Sequence, residues 1–472
     1  MTLTLEDLHF LAATGPIEAS LPALDAVTAV TGPHAPGLDI VGAGHLVPLA
    51  NGSFVEYANL DHAASAPALH VVKAAVDAVI EQYASVHRGA GFDSRLCTAL
   101  YEGAREPIRA FVGGRPDDAV LFTRNTTDAF NLLSHCLPVD TTVIVFETEH
   151  HATLLPWEQH RVVRLTAPAS PQAAVRAVAD ACRDARKQGP VLVVVTGASN
   201  VTGEIWPIAS LAAVAHAHGA RIALDAAQLA PHRPFSITEL WVDYVALSGH
   251  KVYAPYGAGA LIGRADWLAD APPYLIGGGA TSSVTDDATV WKPLPDRHEA
   301  GTPNIPGVVA LATACHALLT ADRDALVTTE RDLTARLIRG LSDIPGVTVH
   351  SLFDGGASVI GVATFTVSTL APHIVAAALS AEYGIGVRDG AFCAQPLVRR
   401  LLGTASCTSV DGTGHAVRAS VGLGTTTEHV DRLVGAVRRL AAEGPELRYV
   451  TVDGRPQPLR DRRTLPKIVA WQ

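Results

Sequence analysis

The chain has 472 residues, 17% of them charged and 48% apolar, with 36 basic against 46 acidic side chains for a net charge of −10. Such a chain is too apolar and too weakly charged to stay disordered, and at about 150 residues per domain its length predicts two or three folded units. With no basic excess and no Lys/Arg run to follow a phosphate backbone, nucleic acid is not an expected partner. The opening MTLTLEDLHF lacks the basic start of a secretory signal, and no apolar run reaches the roughly 20 residues of a membrane span, so no membrane partner is expected either. The six cysteines (Cys97, Cys136, Cys182, Cys315, Cys393, Cys407) are scattered without a CxxC spacing. That argues against a disulfide framework or a zinc site and for free thiols in a cytoplasmic setting.

In chain order, residues 1–56 mix a weak helical pattern with Gly/Pro turns and read as an N-terminal extension packing on a smaller domain. From 57 to about 265, β-rich runs alternate with Ala-rich helical stretches: AVLFT (119–123), VIVFE (143–147), VLVVVT (191–196), RIALD (221–225), DYVALS (243–248) and GAGALIG (257–263). This alternation predicts βαβ units and a mainly parallel sheet. A Gly/Pro-rich stretch over 271–306 marks a boundary, after which VVALATACHALLTA opens a long helix. Strands within VTVHSLF, SVIGVATFTV and AVRASVG, with helices over 372–383 and 427–442, predict a smaller α+β domain, and the basic tail from 446 holds one hairpin. The expected units are 1–56, 57–306, 307–445 and 446–472.

Ligands of open α/β sheets bind beyond the carboxyl ends of the strands. Polar residues follow five of the runs: Asn125-Thr126-Thr127, Glu149-His150-His151, Ser199-Asn200, Asp225, and Ser248-Gly249-His250-Lys251. Taken singly, each has an ordinary reading. Asn125 with Asp128 caps a helix, Asp225 is a surface carboxylate and Lys251 a surface ammonium. His150 and His151 point apart, with no third ligand at a metal spacing. Taken together, an amine, a carboxylate, a flat ring and a helix start that cradles an anion are the parts pyridoxal phosphate needs: a Schiff-base lysine, an acid for the ring nitrogen, a stacking partner and a phosphate cap. GGGATSS (277–283) lacks the lysine and the preceding strand of a nucleotide phosphate loop.

The segments YANLDHAASAP (57–67), SVHRGAG (85–91), FTRNTTDAFNLL (122–133), TEHHATLLPW (148–157), SNVTGEIWPI (199–208), LDAAQLAPH (224–232), YVALSGHKVYAPYGAGAL (244–261), RHEAGTPNI (297–305), RDGAFCAQPL (388–397) and VRAS (417–420) resemble, in order, the class V aminotransferases. Within that family they are most similar to the group II cysteine desulfurases and selenocysteine lyases. The resemblance implies fold type I of the pyridoxal-phosphate-dependent transferases, an α/β large domain with a mainly parallel sheet of seven-stranded type and a smaller α+β C-terminal domain.

It also implies roles. Lys251 is the Schiff-base lysine, His150 stacks on the cofactor ring, Asp225 faces its nitrogen, and Gln228 and Asn200 meet its phenolic oxygen and the substrate. Thr126, Thr127, Ser248 and His250 hold the phosphate, with Thr302 reaching in from the second subunit of a homodimer with shared active sites. Arg418 grips the carboxylate of a small amino-acid substrate, with Arg388, His87 and Asn200 beside it. Cys393 takes the sulfur as a persulfide while L-cysteine becomes L-alanine, and a sulfur-acceptor protein follows. Two departures stand out: Ala391 and Phe392 occupy positions where the branch has histidines, and LLGTASCTSVDGTGH (401–415) is an insertion carrying Cys407. The alternatives are transamination, epimerisation or β-elimination on another amino acid, and a non-catalytic role in sulfur transfer.

Overall fold

The computed structural model describes residues 38–353, 357–403 and 414–471. Seven strands form the large sheet: β1 (Ala119–Thr123), β2 (Thr142–Phe146), β3 (Arg161–Leu165), β4 (Val191–Thr196), β5 (Arg221–Asp225), β6 (Tyr244–Ser248) and β7 (Gly259–Gly263), in the spatial order β1-β7-β6-β5-β4-β2-β3. Only β7 runs against the others. Central strands such as VLVVVT and YVALS are buried along nearly their whole length, because helices cover both faces and leave no solvent side for polar residues to alternate onto. The strand β3, RVVRL, is not among the predicted runs, because its arginines at 161 and 164 break the apolar pattern. They are tolerated because β3 is an edge strand with those two residues exposed. Six strand ends therefore point to one edge of the sheet.

The smaller sheet is antiparallel, with β8 (Val347–His350), β9 (Val362–Val367), β10 (Arg388–Gly390) and β11 (Ala416–Ser420) in the order β8-β9-β11-β10. Its core is made by Phe365, by Leu333, Leu337 and Leu341 of the helix Arg323–Ser342, and by Val430, Leu433, Val437 and Leu440 of the helix Thr427–Glu443. The three- and four-residue spacings line one face of each helix, and each buried Leu or Val contributes about 1.5–3 kcal/mol against exposure. The long helix expected after the Gly/Pro stretch runs Ile305–Thr320, and inside that stretch lies an unforeseen hairpin, Thr281–Val284 against Thr289–Trp291. Among the described residues no single helix is long and apolar enough to cross a membrane.

Two hairpins, one early and one late among the described residues, clasp the small sheet. A hairpin of Leu46–Pro48 and Phe54–Glu56 sits against the helix Pro372–Tyr383, with Ala50 N–H donating to Ala381 O at 2.8 Å. The same helix carries Glu382, which accepts from Glu446 N, Leu447 N and the Tyr449 hydroxyl and so fastens the C-terminal hairpin Tyr449–Val452/Arg455–Pro458. Residues 1–37 of the expected N-terminal extension lie outside the described residues, as does Cys407. The two sheets are joined by buried charges. Glu330 accepts from Arg233 at 2.7 Å and pairs with His232, while Glu204 accepts from Ser351 Oγ and Leu352 N. This seam sets β10 and β11 against the carboxyl edge of the large sheet.

Candidate active site

Between the two sheets lies an open cavity of about 320 Å³, lined by residues from both. Its large-sheet wall is made at the strand ends. After β1 the chain turns into the helix Thr126–Cys136, and the extended Asn125 caps it by accepting from Asp128 N at 3.1 Å. Across the sheet, Ser248 Oγ at the end of β6 accepts from Thr126 N at 2.9 Å and lies 2.8 Å from Thr126 Oγ1. Thr127 faces the cavity beside them and is exposed. This helix start, with its aligned N–H groups and two hydroxyls, is suited to an anion.

After β6 a single 3₁₀ turn, Gly249–Lys251, carries His250 and Lys251 to the cavity. Only glycine fits at 249, where a Cβ would lie 2.5 Å from Ala258 O and 2.9 Å from Ala254 O. Burial lowers the Lys251 amine to about 8, against the pull of Asp225, which favours its charge. Burial, followed by the positive charge of Lys251, lowers His250 to about 4. Both effects leave a neutral ring and an amine that gives up its proton near pH 8, well below the ordinary lysine range.

Asp225, at the end of β5, is held from two sides: Oδ2 accepts from Thr153 Oγ1 at 2.7 Å and Oδ1 from Ala227 N at 2.9 Å. Beneath it lies Glu149, fully buried, with Oε1 accepting from Thr196 N and Oε2 without a partner. Burial first, and the charge of Asp225 second, raise Glu149 well above the ordinary carboxylate range. His150 caps the short helix His151–Leu154, its Nδ1 accepting from Ala152 N at 3.1 Å. Burial, followed by the Lys251 charge, lowers it to about 4, so its ring is neutral. Gln228 Nε2 donates to Ala63 O at 2.7 Å, while Oε1 is buried without a partner.

The small-sheet wall is built differently. Arg418, in the central strand β11, is buried; Nη1 donates to Asn200 O at 2.9 Å, Nη2 pairs with Asp61 at 3.2 Å, and Nε has no partner. Antiparallel register sets Arg388 directly opposite Arg418, so both guanidinium groups belong to one face of the sheet and both line the cavity. Past β10 the chain enters two successive left-handed residues, Phe392 and Cys393, both with φ 53°. Asn200 Nδ2 donates to Phe392 O at 2.8 Å and His151 N to Cys393 O at 2.9 Å, which fixes this bend over the cavity. Cys393 is exposed there, whereas the other described cysteines are buried.

Thus Thr126, Thr127, His150, Asn200, Asp225, Gln228, Ser248, His250, Lys251, Arg388, Cys393 and Arg418, far apart in sequence, all line one cavity. His87 and Thr302 do not. His87 lies in a separate cleft of about 50 Å³, bound through Nε2 to Glu102 at 2.9 Å, and Thr302 is exposed outside both. The sequence reading gave no role to Thr153, Asp61 or the ring of Phe392. Thr153 follows His150 by three residues, one helical turn on, which was the available signal for its place under Asp225. Asp61 reaches Arg418 only through folding, 357 positions apart.

A mainly parallel sheet whose carboxyl edge gathers a desolvated lysine, a paired aspartate, a neutral ring and a capped helix start is the scaffold of a pyridoxal-phosphate enzyme of fold type I. The donor set fits that cofactor: an amine for its aldehyde, a carboxylate for its ring nitrogen, an unsatisfied Gln228 oxygen at the floor, and hydroxyls and N–H groups for its phosphate. The chain belongs to the aminotransferase class-V family, whose profile matches residues 58–433. It is 34% identical over 401 residues to a probable cysteine desulfurase of Halalkalibacterium halodurans, covering 82% of this chain and 94% of that one. It is 34% identical over 407 residues to a cysteine desulfurase of Klebsiella pneumoniae, covering 83% and 94%. Among solved structures, the apo cysteine desulfurase of Thermococcus onnurineus superposes with a TM-score of 0.73 at 28% identity over 82% of this chain and 94% of that chain. The cysteine desulfurase CsdA of Escherichia coli, in an S-sulfonic acid form, gives 0.69 at 30% identity over 81% and 94%.

Proposed function

We propose that this chain is a pyridoxal-phosphate-dependent cysteine desulfurase that converts L-cysteine to L-alanine and takes the sulfur onto Cys393. The observation that carries the reading is that the exposed Cys393 thiol opens into the same cavity as Lys251 and Arg418. When bound, the cofactor supplies an electron sink for negative charge developing at the substrate Cα. Lys251, an amine lowered by burial to about 8, attaches the cofactor and then moves the proton at Cα. Asp225, held by Thr153 and Ala227, keeps a proton on the ring nitrogen. His150, neutral, offers a flat face without a competing charge. Arg418, buried in the wall of the cavity, receives the substrate carboxylate, with Arg388 at the rim.

Cys393 Sγ, as thiolate, attacks the substrate sulfur. The S–S bond forms, the Cβ–S bond breaks, and Cβ takes up the released electron pair together with a proton, which gives alanine and a persulfide. The persulfide sulfur then passes to a thiol-bearing acceptor protein. A homodimer with shared sites accords with Thr302 lying exposed and with the apolar side chains Leu275, Ile276, Val284 and Val290 exposed on the neighbouring loop and hairpin. The test is to incubate the purified protein with L-cysteine and follow sulfide, alanine and keto acid together. Equal sulfide and alanine support the reading. A keto acid, or sulfide from a Cys393→Ser variant at the parent rate, moves the chain to transamination or β-elimination.

A further inference from the structure

The bend that carries Cys393 also carries an aromatic ring with no place in the mechanism above. Phe392 is 8% exposed, lines the cavity, and stands with its ring centroid 5.2 Å from the Arg418 guanidinium carbon. Its backbone is held at φ 53°, in the left-handed region that a non-glycine residue enters at a cost. Asn200 sustains it by donating to Phe392 O, and the carbonyl of the same Asn200 accepts from Arg418 Nη1. One residue thus ties the ring and the guanidinium into a single unit. On its other side Arg418 is held by Asp61.

We propose that Phe392 is a positioning residue for substrate binding: its ring fixes the Arg418 guanidinium as the fork that takes the amino-acid carboxylate. The inference rests on the proposed role of Arg418. The physics is that of a cation beside an aromatic ring within about 6 Å, an attraction that strengthens as water is excluded, and Arg418 is buried. With Nη1 and Nη2 engaged by Asn200 and Asp61, the plane of the guanidinium is set by three neighbours. A histidine at 392 would titrate, and its protonated form would repel Arg418. A phenyl ring keeps its attraction at every pH. Phe392 therefore supplies orientation without charge, and its effect falls on affinity for carboxylate-bearing amino acids.

The test compares holoenzyme variants Phe392→Leu, Phe392→Ala and Phe392→Tyr. Two quantities are read: affinity for L-alanine by calorimetry, and KM and kcat for sulfide release from L-cysteine. Leu and Ala are expected to weaken alanine binding and raise KM about fivefold, with kcat falling less than KM rises, while Tyr, which keeps the aromatic face, stays within about twofold of the parent. In an Arg418→Lys background the Leu substitution should add less than about twofold, because the fork it orients is gone. Parental affinity in the Leu variant, or a Tyr variant as weak as Leu, would overturn the inference. If the parent releases no sulfide, the desulfurase reading fails while the alanine series still measures Phe392. If the parent binds no amino acid, the carboxylate fork and this inference fall together.

Discussion

The two walls of the cavity are made by opposite means. On the large-sheet side, Asn125, Asp225 and Ser248 lie at strand ends or just beyond them, joined to neighbours by hydrogen bonds of ordinary length. On the small-sheet side, the working residues lie on a buried strand and on a bend of two left-handed residues, held by contacts to Asn200 and His151 from the other wall. The first wall is the regular consequence of parallel strands and holds a cofactor. The second stores backbone strain and, under the proposed function, presents the reacting thiol. Family resemblance therefore speaks most directly to the first wall, and the features particular to this chain, Ala391 and Phe392 beside Cys393, gather on the second.

The comparison is broken most sharply at Lys251. Lys251→Ala should lower turnover on the order of 10³-fold or more while leaving the fold, since the amine both attaches the cofactor and moves a proton. Borohydride reduction of the parent should fix the cofactor on the peptide containing Lys251, and a label on another lysine would refute the assignment. Next comes Asp225→Asn, expected to cost about 10²-fold in kcat with the cofactor retained, read by absorbance of the purified variant, because an amide cannot hold the charge that keeps the ring nitrogen protonated. Both changes act on the first wall, and neither should alter the alkylation rate of Cys393 by more than a few-fold.

How much of this was legible in the sequence follows the same division. The strand ends could be found because parallel strands buried on both faces read as apolar runs, and a polar residue directly after such a run is conspicuous. Asp225 ends such a run, Asn125, His150, Asn200 and Lys251 follow one within a few residues, and all five meet in the cavity. The strand β3 was missed because an edge strand tolerates arginines. The pairing of Asp61 with Arg418, and of Phe392 with the same guanidinium, joins segments hundreds of residues apart or depends on backbone angles that no periodicity reports. The insertion over 401–415 stands out in the sequence, but its residues 404–413, Cys407 among them, lie outside the described residues.

Smaller effects sharpen the contrast. Asp61→Asn removes one brace of a buried guanidinium and should raise KM for L-cysteine about tenfold with kcat less affected; an unchanged KM would show that Asn200 and Phe392 suffice. In the cofactor-free protein the Lys251 amine, lowered to about 8 by burial, is protonated below that pH and free above it. The rate of pyridoxal phosphate uptake, followed by absorbance, should therefore rise about tenfold from pH 7 to 9 and level off. A profile still climbing beyond pH 10 would mean that the lysine is not desolvated. Least affected should be Thr153→Val, a loss of about fivefold in kcat through one of the two hydrogen bonds on Asp225.

The thiols give the most direct measurement. Burial pushes Cys136 and Cys182 up to about 12 and raises Cys315 further, whereas Cys393 is exposed at the cavity. Incubation of the holoenzyme with L-cysteine, followed by peptide mass analysis without reductant, should add the mass of one sulfur to the peptide bearing Cys393 in step with alanine release. Cys393→Ser should abolish both while leaving the cofactor absorbance intact. Alanine and sulfide formed at the parent rate by Cys393→Ser, with no sulfur found on Cys393 of the parent, would contradict the account.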